Sequence, residues 1–585
     1  MSATSASPNL QHGYPTPGPQ TPTGQEVMDH VFFLSNTAWK QAREFNIYDY
    51  ILVGSGFCAL AFARRILEHD SKAAILIVER GPFFLPEHFQ NLPTPFKQTL
   101  GGLSETFPWT LSSATVNRKQ FIHWQHGMVP FFGGRSIMWS AWCPRPNERE
   151  MDGWPKATIV AAQKNFETAE KLLRVRPADK IDSDRSALEN ELIAKTRPVY
   201  GALQTRVQSL LSENVAKLPM VYRTEAAPLA CAAEKVDGID FQKFSTPGEL
   251  LALADKSRAA AEAGSGLGKL EIVTNCVVER IVQQDGVATA LQTNRGVLPV
   301  TDKAKLILCM GTLPPTTLVA NSFPAIRGVG DRFTAHFITS IVARVPRAVL
   351  DPDDKFGSLE LGACYVAGVA DNDYKKQFHI QLSALADRNP IKNAGIALRY
   401  MPDVVATATM NQLLTSKDHV VFVCAVLGEL DYRNPQNWFR KDLQEPNPTC
   451  NSLLQVLENH DDLTTWDAMD LTTFEMLEKV LGREQGQTEY WHSTEGNAGY
   501  WDKCRPGKDK IRIDALVHEG STLRIGEEGD APVDLNYKLR GSENVYVTGG
   551  GLWPQGGSWN PTMTMVALAQ DLADKLAAQK VSSKQ

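Results

Sequence analysis

Two residues near the end of the chain are of types that could take a proton from an alcohol. His518 opens the run His518-Glu519-Gly520-Ser521-Thr522-Leu523-Arg524-Ile525-Gly526, and Asn560-Pro561-Thr562 opens an apolar stretch. A neutral imidazole, with an ordinary pKa of about 6.5, is a suitable base near neutral pH. An amide beside it can hold the oxygen that gives up the proton. Each residue also has a plainer reading. Asn560 before Pro561 is a good helix start, with Leu568, Leu572 and Leu576 as the buried stripe of the helix. A lone histidine between a strand and a loop is more often structural than catalytic.

Such a pair needs elements to position it and a partner for the electrons. Between the two lies a strand, Asn544-Val545-Tyr546-Val547-Thr548, ending in Gly549-Gly550-Gly551. At the other end, Tyr50-Ile51-Leu52-Val53 reads as a buried parallel strand. It runs into Gly54-Ser55-Gly56-Phe57-Cys58-Ala59 and a helix with Leu60, Ala63, Ile66 and Leu67 on one side. A second strand, Ala74 to Val78, ends at Glu79. Strand, GxGxxA turn, helix, strand and acid in this order form a dinucleotide-binding fingerprint. Gly54 permits the tight turn, and Gly56 lets the backbone approach a pyrophosphate at the helix N-terminus. Ala59 allows close helix packing, and Glu79 can accept from a ribose diol. FAD and NAD share this fingerprint, so it does not choose between them.

Downstream, Phe131-Phe132-Gly133-Gly134-Arg135-Ser136-Ile137-Met138-Trp139-Ser140 places paired glycines before aromatics. That suits a backbone pressed against a planar ligand, and equally a glycine turn under core aromatics. His123 and His126 have no third ligand at metal-site spacing and read as surface or satisfied histidines, so no metal is expected. Strands return at Leu270 to Val278 and at Ala304 to Cys309, the second leading into a short helix. From Thr339 to Lys510 aromatics, loops and alternating strands such as His419 to Leu427 increase. Trp491-His492 is a loop candidate for a substrate mouth.

Taken together, these blocks resemble the glucose-methanol-choline (GMC) oxidoreductases and, within them, the pyranose-oxidase-like branch. The resemblance spans Tyr48 to Ala577 in scattered blocks. It implies that Gly54, Ser55, Gly56 and Glu79 bind FAD, and that Gly133, Gly134 and Ser136 belong to the loop along the flavin. It implies that the backbone near Val278 meets the adenine. Gly328-Val329-Gly330-Asp331 with His336 is similar to the block that closes this part of the FAD domain. His518 to Gly526 fits the family's His-x-x-Gly-Thr-x-Arg-Met-Gly spacing with Ser521 and Ile525 substituted, which makes His518 the base and Asn560 its partner. Gly549, Gly550, Pro561 and Thr562 then fall at the cofactor. Thr548-Gly549-Gly550 is similar to the pyranose-oxidase branch. One departure matters. Pyranose oxidases attach FAD through a histidine of this loop, where this chain has Met138 followed by Trp139. A thioether cannot form that bond, so FAD is expected to be noncovalent, with Met138 and Trp139 beside it. A helix starting at Asn560-Pro561 would favour negative charge on the reduced cofactor by about 0.3–2 kcal/mol.

The resulting expectation is an α/β protein. A discontinuous Rossmann-type FAD-binding domain of GMC fold comprises 41–150, 217–338 and 511–580. A helical connection spans 151–216, and an α+β substrate domain on an antiparallel sheet spans 339–510. A disordered N-terminal tail and lead-in occupies 1–40, because Met1 to Gly24 is rich in Ser, Thr, Pro and Gln. The partner is a small-molecule alcohol, sugar or secondary metabolite. Alternatives kept open are O2 or another electron acceptor, and a lyase or isomerase use of the flavin without net redox change.

Bulk properties exclude other classes. A net charge of -6 over 585 residues favours neither nucleic acid nor an anionic membrane. No stretch approaches a membrane span. The nine cysteines are scattered, without CxxC spacing, and read as free thiols. With no leader-like segment and no usable glycosylation sequon, a cytoplasmic protein is expected.

Overall fold

The computed structural model describes residues 21–45, 48–92, 104–117, 124–125, 127–232, 242–264, 268–371, 375–402, 408–496, 498–527 and 529–582. Strand β1 (Tyr50–Val53) is buried along its whole length. It feeds helix α1 (Phe57–His69), which buries Leu60, Ala63 and Ile66 and exposes Arg64 and Glu68. Then come β2 (Ile75–Val78), helix α2 (Lys156–Leu173) and β3 (Val221–Ala226). Strands β4 (Leu270–Val273) and β5 (Lys305–Leu308) precede helix α3 (Leu313–Ser322). Four long strands follow: β6 (Thr334–Pro346), β7 (Leu359–Val369), β8 (Gln377–Asp387) and β9 (His419–Glu429). The hairpin β10 (Glu489–Ser493) and β11 (Gly499–Asp502) leads to β12 (Arg512–Gly520), β13 (Val545–Val547) and helix α4 (Thr562–Ser582).

Two sheets organise these elements. A five-stranded parallel sheet has the order β13-β5-β1-β2-β4, so it gathers strands from both ends of the sequence. Helix α4 packs on α1 and α2. The larger sheet runs β11-β10-β6-β9-β8-β7-β3, antiparallel throughout this path, with β12 paired along β6. Apolar clusters cover both of its faces, one around Phe337 and Trp466, the other around Tyr365 and Leu398.

That double cover corrects one expectation. His419 to Leu427 was expected to alternate, yet every residue of β9 from Val420 onward is buried. The strand expected from Leu270 to Val278 breaks after Val273, where Asn275 turns with φ 52°. Val278 then opens a separate three-stranded sheet. Two segments expected with the dinucleotide unit, β3 and β12, pair in the antiparallel sheet. The 151–216 connection holds α2 and a helix at Ala202–Glu213, and also a short strand, Val175–Pro177. Within the expected disordered tail and lead-in, Gly24–Val31 is helical because Thr23 and Glu26 form a capping box. Asn36–Glu44 is helical too, and its Trp39 joins the core of the parallel sheet. His123 and His126 lie outside the described residues.

Candidate active site

One cavity runs between the two sheets. At one end it is lined by Gly54, Ser55, Gly56, Glu79 and Arg80, at the other by Trp142, His518 and Asn560. The first end is made of backbone. Gly54 has φ +101°, and a Cβ there would sit 2.6 Å from the Cys309 carbonyl oxygen. Gly56 and Gly134 face each other across a gap, with a Cβ on Gly56 meeting only the Gly133 oxygen at 3.9 Å. Side chains at Gly56 and Gly134 would enter the gap between them, which is the space a pyrophosphate cradle needs, while Gly54 is required by the turn itself.

Ser55 ties this turn to its surroundings. Its Oγ donates to Glu79 Oε2 (2.6 Å) and accepts from Gly133 N–H (2.9 Å). Glu79 Oε1 accepts from Gly81 N–H (2.8 Å). Burial pushes the Glu79 carboxyl up, opposed by the Ser55 and Gly81 hydrogen bonds. Each Glu79 oxygen keeps a second lone pair for a further donor. Ser136 holds the loop itself, donating to the Gly133 carbonyl (2.7 Å) and accepting from Thr246 N–H (3.0 Å).

His518 stands where β12 bulges. Thr334 pairs with Gly520 and His336 with Val517, so two steps on β6 oppose three on β12. His518 adopts φ +63°, a left-handed conformation that a histidine seldom holds. A bulge of this kind re-aims a side chain. Here it brings His518 Nδ1 to 2.8 Å from His336 Nδ1. The far side of His336 decides the protons. His336 Nε2 lies 2.8 Å from the Gly557 carbonyl oxygen, and a carbonyl only accepts. His336 is fully buried, and burial pulls its pKa down to about 4, opposed by the Gly557 contact. Near neutral pH it is therefore uncharged, with the proton on Nε2 and the lone pair on Nδ1. His518 must then donate from Nδ1, and in its uncharged form the lone pair lies on Nε2.

Asn560 is set from the same loop. It lies two residues before α4 begins and does not serve as an N-cap by its side chain; Gln381 Nε2 donates to its Oδ1 at 2.8 Å. The loop 555–560 is held by buried polar groups of the antiparallel sheet. His336 takes the Gly557 carbonyl, and Glu429, its cross-strand neighbour, accepts from Gly557 N–H at 2.9 Å. Burial drives Glu429 up to about 8, with the Gly557 N–H opposing.

The remaining expected residues divide. Met138, Trp139, Gly134, Val278, Gly549, Pro561 and Thr562 line the cavity. Gly133, Ser136 and Gly550 are not among its lining residues. A Cβ on Gly133 would strike Pro247 at 2.7 Å, and one on Gly550 the Glu519 oxygen at 2.6 Å, so these positions serve close packing. Trp491 and His492 lie in a strand, with His492 Nε2 on the Cys504 carbonyl (2.9 Å) and away from the cavity lining. Sequence reasoning missed His379, Gln381 and Glu429 and placed His336 with the FAD domain. The signal available was a polar residue in an apolar strand, with His379 and Gln381 two apart and so on one face.

Comparison with known proteins follows the same lines. The GMC oxidoreductase family model matches residues 441–569. The oxygen-dependent choline dehydrogenase of Pectobacterium carotovorum subsp. carotovorum (strain PC1) is 19% identical over 559 residues, 90% of this chain and 94% of that protein. Crystalline pyridoxine 4-oxidase from Mesorbium loti superposes with a TM-score of 0.54 at 14% identity. That match covers 90% of this chain and 99% of the other and shows a shared fold. Residues 441–569 thus match the C-terminal part of the GMC oxidoreductases, and the chain as a whole is similar in fold to a solved oxidase of low sequence identity. No helix among the described residues is long and apolar enough to cross a membrane.

Proposed function

We propose that the chain binds FAD noncovalently and oxidises the CH–OH group of a small alcohol, sugar or secondary metabolite. The observation that carries this reading is that His518 and Asn560 line the same cavity as Gly54, Gly56 and Glu79. The parallel sheet is then a Rossmann-type domain, with Gly54, Ser55 and Gly56 at the pyrophosphate, Glu79 at the ribose and Val278 near the adenine. The cradle fits such a group, because a Cβ at Gly56 or Gly134 would fill it. Met138 supports a noncovalent cofactor, since its thioether offers no histidyl link. The pyranose-oxidase-like branch rests on the Gly133 loop and on Thr548-Gly549-Gly550.

Bound there, FAD supplies the acceptor for the hydride that leaves the carbinol carbon. His518 Nε2 takes the hydroxyl proton while its Nδ1–H stays on His336. The Asn560 amide donates to the alcohol oxygen as charge develops on it. Trp139 and Trp142 wall the cavity with apolar surface, which strengthens both contacts by keeping water out. The test is anaerobic absorbance of holoenzyme mixed with choline, pyridoxine, D-glucose or an aromatic alcohol. Bleaching of the flavin by one of them is expected, and readmitted air then separates an oxidase from a dehydrogenase. Product formation from a metabolite without bleaching would overturn the redox reading in favour of a lyase or isomerase.

A further inference from the structure

The catalytic amide can face the alcohol in two ways, and only one of them stabilises an alkoxide. Asn560 must present Nδ2–H; presenting Oδ1 would oppose a developing negative charge. The choice is made behind it, on β8. Gln381 Nε2 lies 2.8 Å from Asn560 Oδ1 and 3.2 Å from His379 Nε2. Both β8 residues are buried, at 2% and 0% exposure. The His379 ring stacks on Tyr365 at 4.9 Å between centroids, and Arg223 covers Tyr365 at 5.2 Å.

We propose that Gln381, held by His379, is the positioning residue that fixes the Asn560 amide as a donor. His379 is kept uncharged: burial pulls its pKa well below the usual value, His336 adds to this, and contact with the Ser558 backbone opposes it. In the uncharged ring, Nε2 lies 3.2 Å from Gln381 Nε2 and offers it a lone pair, while the proton sits on Nδ1, which is buried and outside hydrogen-bond geometry to any partner among the described residues. Gln381 therefore turns its NH2 group toward both His379 and Asn560. Asn560 accepts on Oδ1 and is left with Nδ2–H for the substrate. Two relays of buried side chains thus stand behind the chemistry, Gly557 through His336 to His518, and His379 through Gln381 to Asn560. This rests on the proposed role of Asn560 and adds a residue that touches neither substrate nor cofactor.

Gln381→Glu separates this from mere structural support. A buried acid of the same shape can donate to Asn560 Oδ1 when protonated, but can only accept when ionised, which turns the amide round. The titratable and charged groups of this cluster are His379, His336, His518, Tyr365, Arg223 and Glu429, and all are present in the parent protein. The first readout is flavin reduction of the holoenzyme by whichever of choline, pyridoxine, D-glucose or 4-methoxybenzyl alcohol bleaches it, from pH 5 to 9. The Q381E variant is expected to lose about 10²-fold relative to the parent as pH rises, and the added pH limb should vanish in Q381E/N560A. The second readout needs no substrate. Melting temperatures of Gln381→Met, Asn560→Ala and the double variant should show less than the sum of the single losses.

A parallel pH profile for Q381E and the parent, or additive melting losses, would overturn the proposal. If Asn560→Ala leaves reduction unchanged, the proposed role of Asn560 fails instead. If no alcohol reduces the holoenzyme, the proposed function fails and the melting cycle still decides the contact.

Discussion

The two walls of the cavity are built from opposite materials. The parallel-sheet wall is backbone and small residues: Gly54 and Gly56 around a turn, Gly134 facing them, and a Ser55–Glu79 bond only 24 residues long in sequence. On the opposite side His518 and Asn560 line the cavity, backed by buried polar side chains of the antiparallel sheet. Its contacts join residues 182 apart (His336 and His518), 221 apart (His336 and Gly557) and 179 apart (Gln381 and Asn560). The first wall takes up a ligand by having nothing in the way. The second acts, on the proposed reading, by holding protons on chosen atoms, and burial favours the uncharged forms of His336, His379 and Glu429.

Substitutions break this comparison at different points. The largest loss is expected from His518→Ala, which should slow flavin reduction by about 10²–10⁴-fold with FAD still bound. Stopped-flow absorbance measures it, and an unchanged rate would remove His518 from the chemistry. Next, Gly56→Val should fold but purify without yellow colour. The Cβ itself finds room against the protein, and the two methyl groups occupy the groove. Retained flavin at full stoichiometry would mean that the cradle lies elsewhere.

His336→Leu attacks the other wall. It leaves His518 Nδ1–H without its acceptor, so reduction should slow by about 10–10²-fold, less than the loss of His518 itself. Equal FAD content in variant and parent would keep the two walls separable. The smallest effect concerns Glu429 and is read as stability. Its folded pKa of about 8 exceeds the ordinary 4.5. Its contribution is therefore fully present below pH 4.5 and is lost as pH rises through 8, because the unfolded chain releases a proton that the folded one retains. Glu429→Gln should gain in melting temperature relative to the parent as pH rises from 5 to 8.5, by about 2–5 °C. A difference independent of pH would show that Glu429 is not held protonated.

The same contrast explains what could be read from sequence. The parallel wall was legible because glycine spacing, a buried strand and an acid some 20 positions on are local signals. The His518 and Asn560 runs were legible through their resemblance to a family. The bulge at His518 was not, since it depends on pairing with a strand at 334–346. His336 stood in a recognised block, but its contact with His518 was not legible for the same reason. Gln381, His379 and Glu429 looked like isolated polar residues in apolar strands; only folding shows that one loop, 555–560, gathers them. The plainer alternative for Asn560-Pro561, a helix cap, is not what the side chain does, since its amide is bonded across to β8.

The central claim is that the antiparallel sheet presents His518 as an uncharged base with its proton on Nδ1. Solid-state 15N NMR of holoenzyme labelled at histidine measures this directly, with His518 and His336 assigned by the signals lost in His518→Asn and His336→Leu. At pH 7 the expected result is a protonated Nδ1 and bare Nε2 on His518, and the reverse on His336. A doubly protonated His518, or a proton on its Nε2, would contradict it.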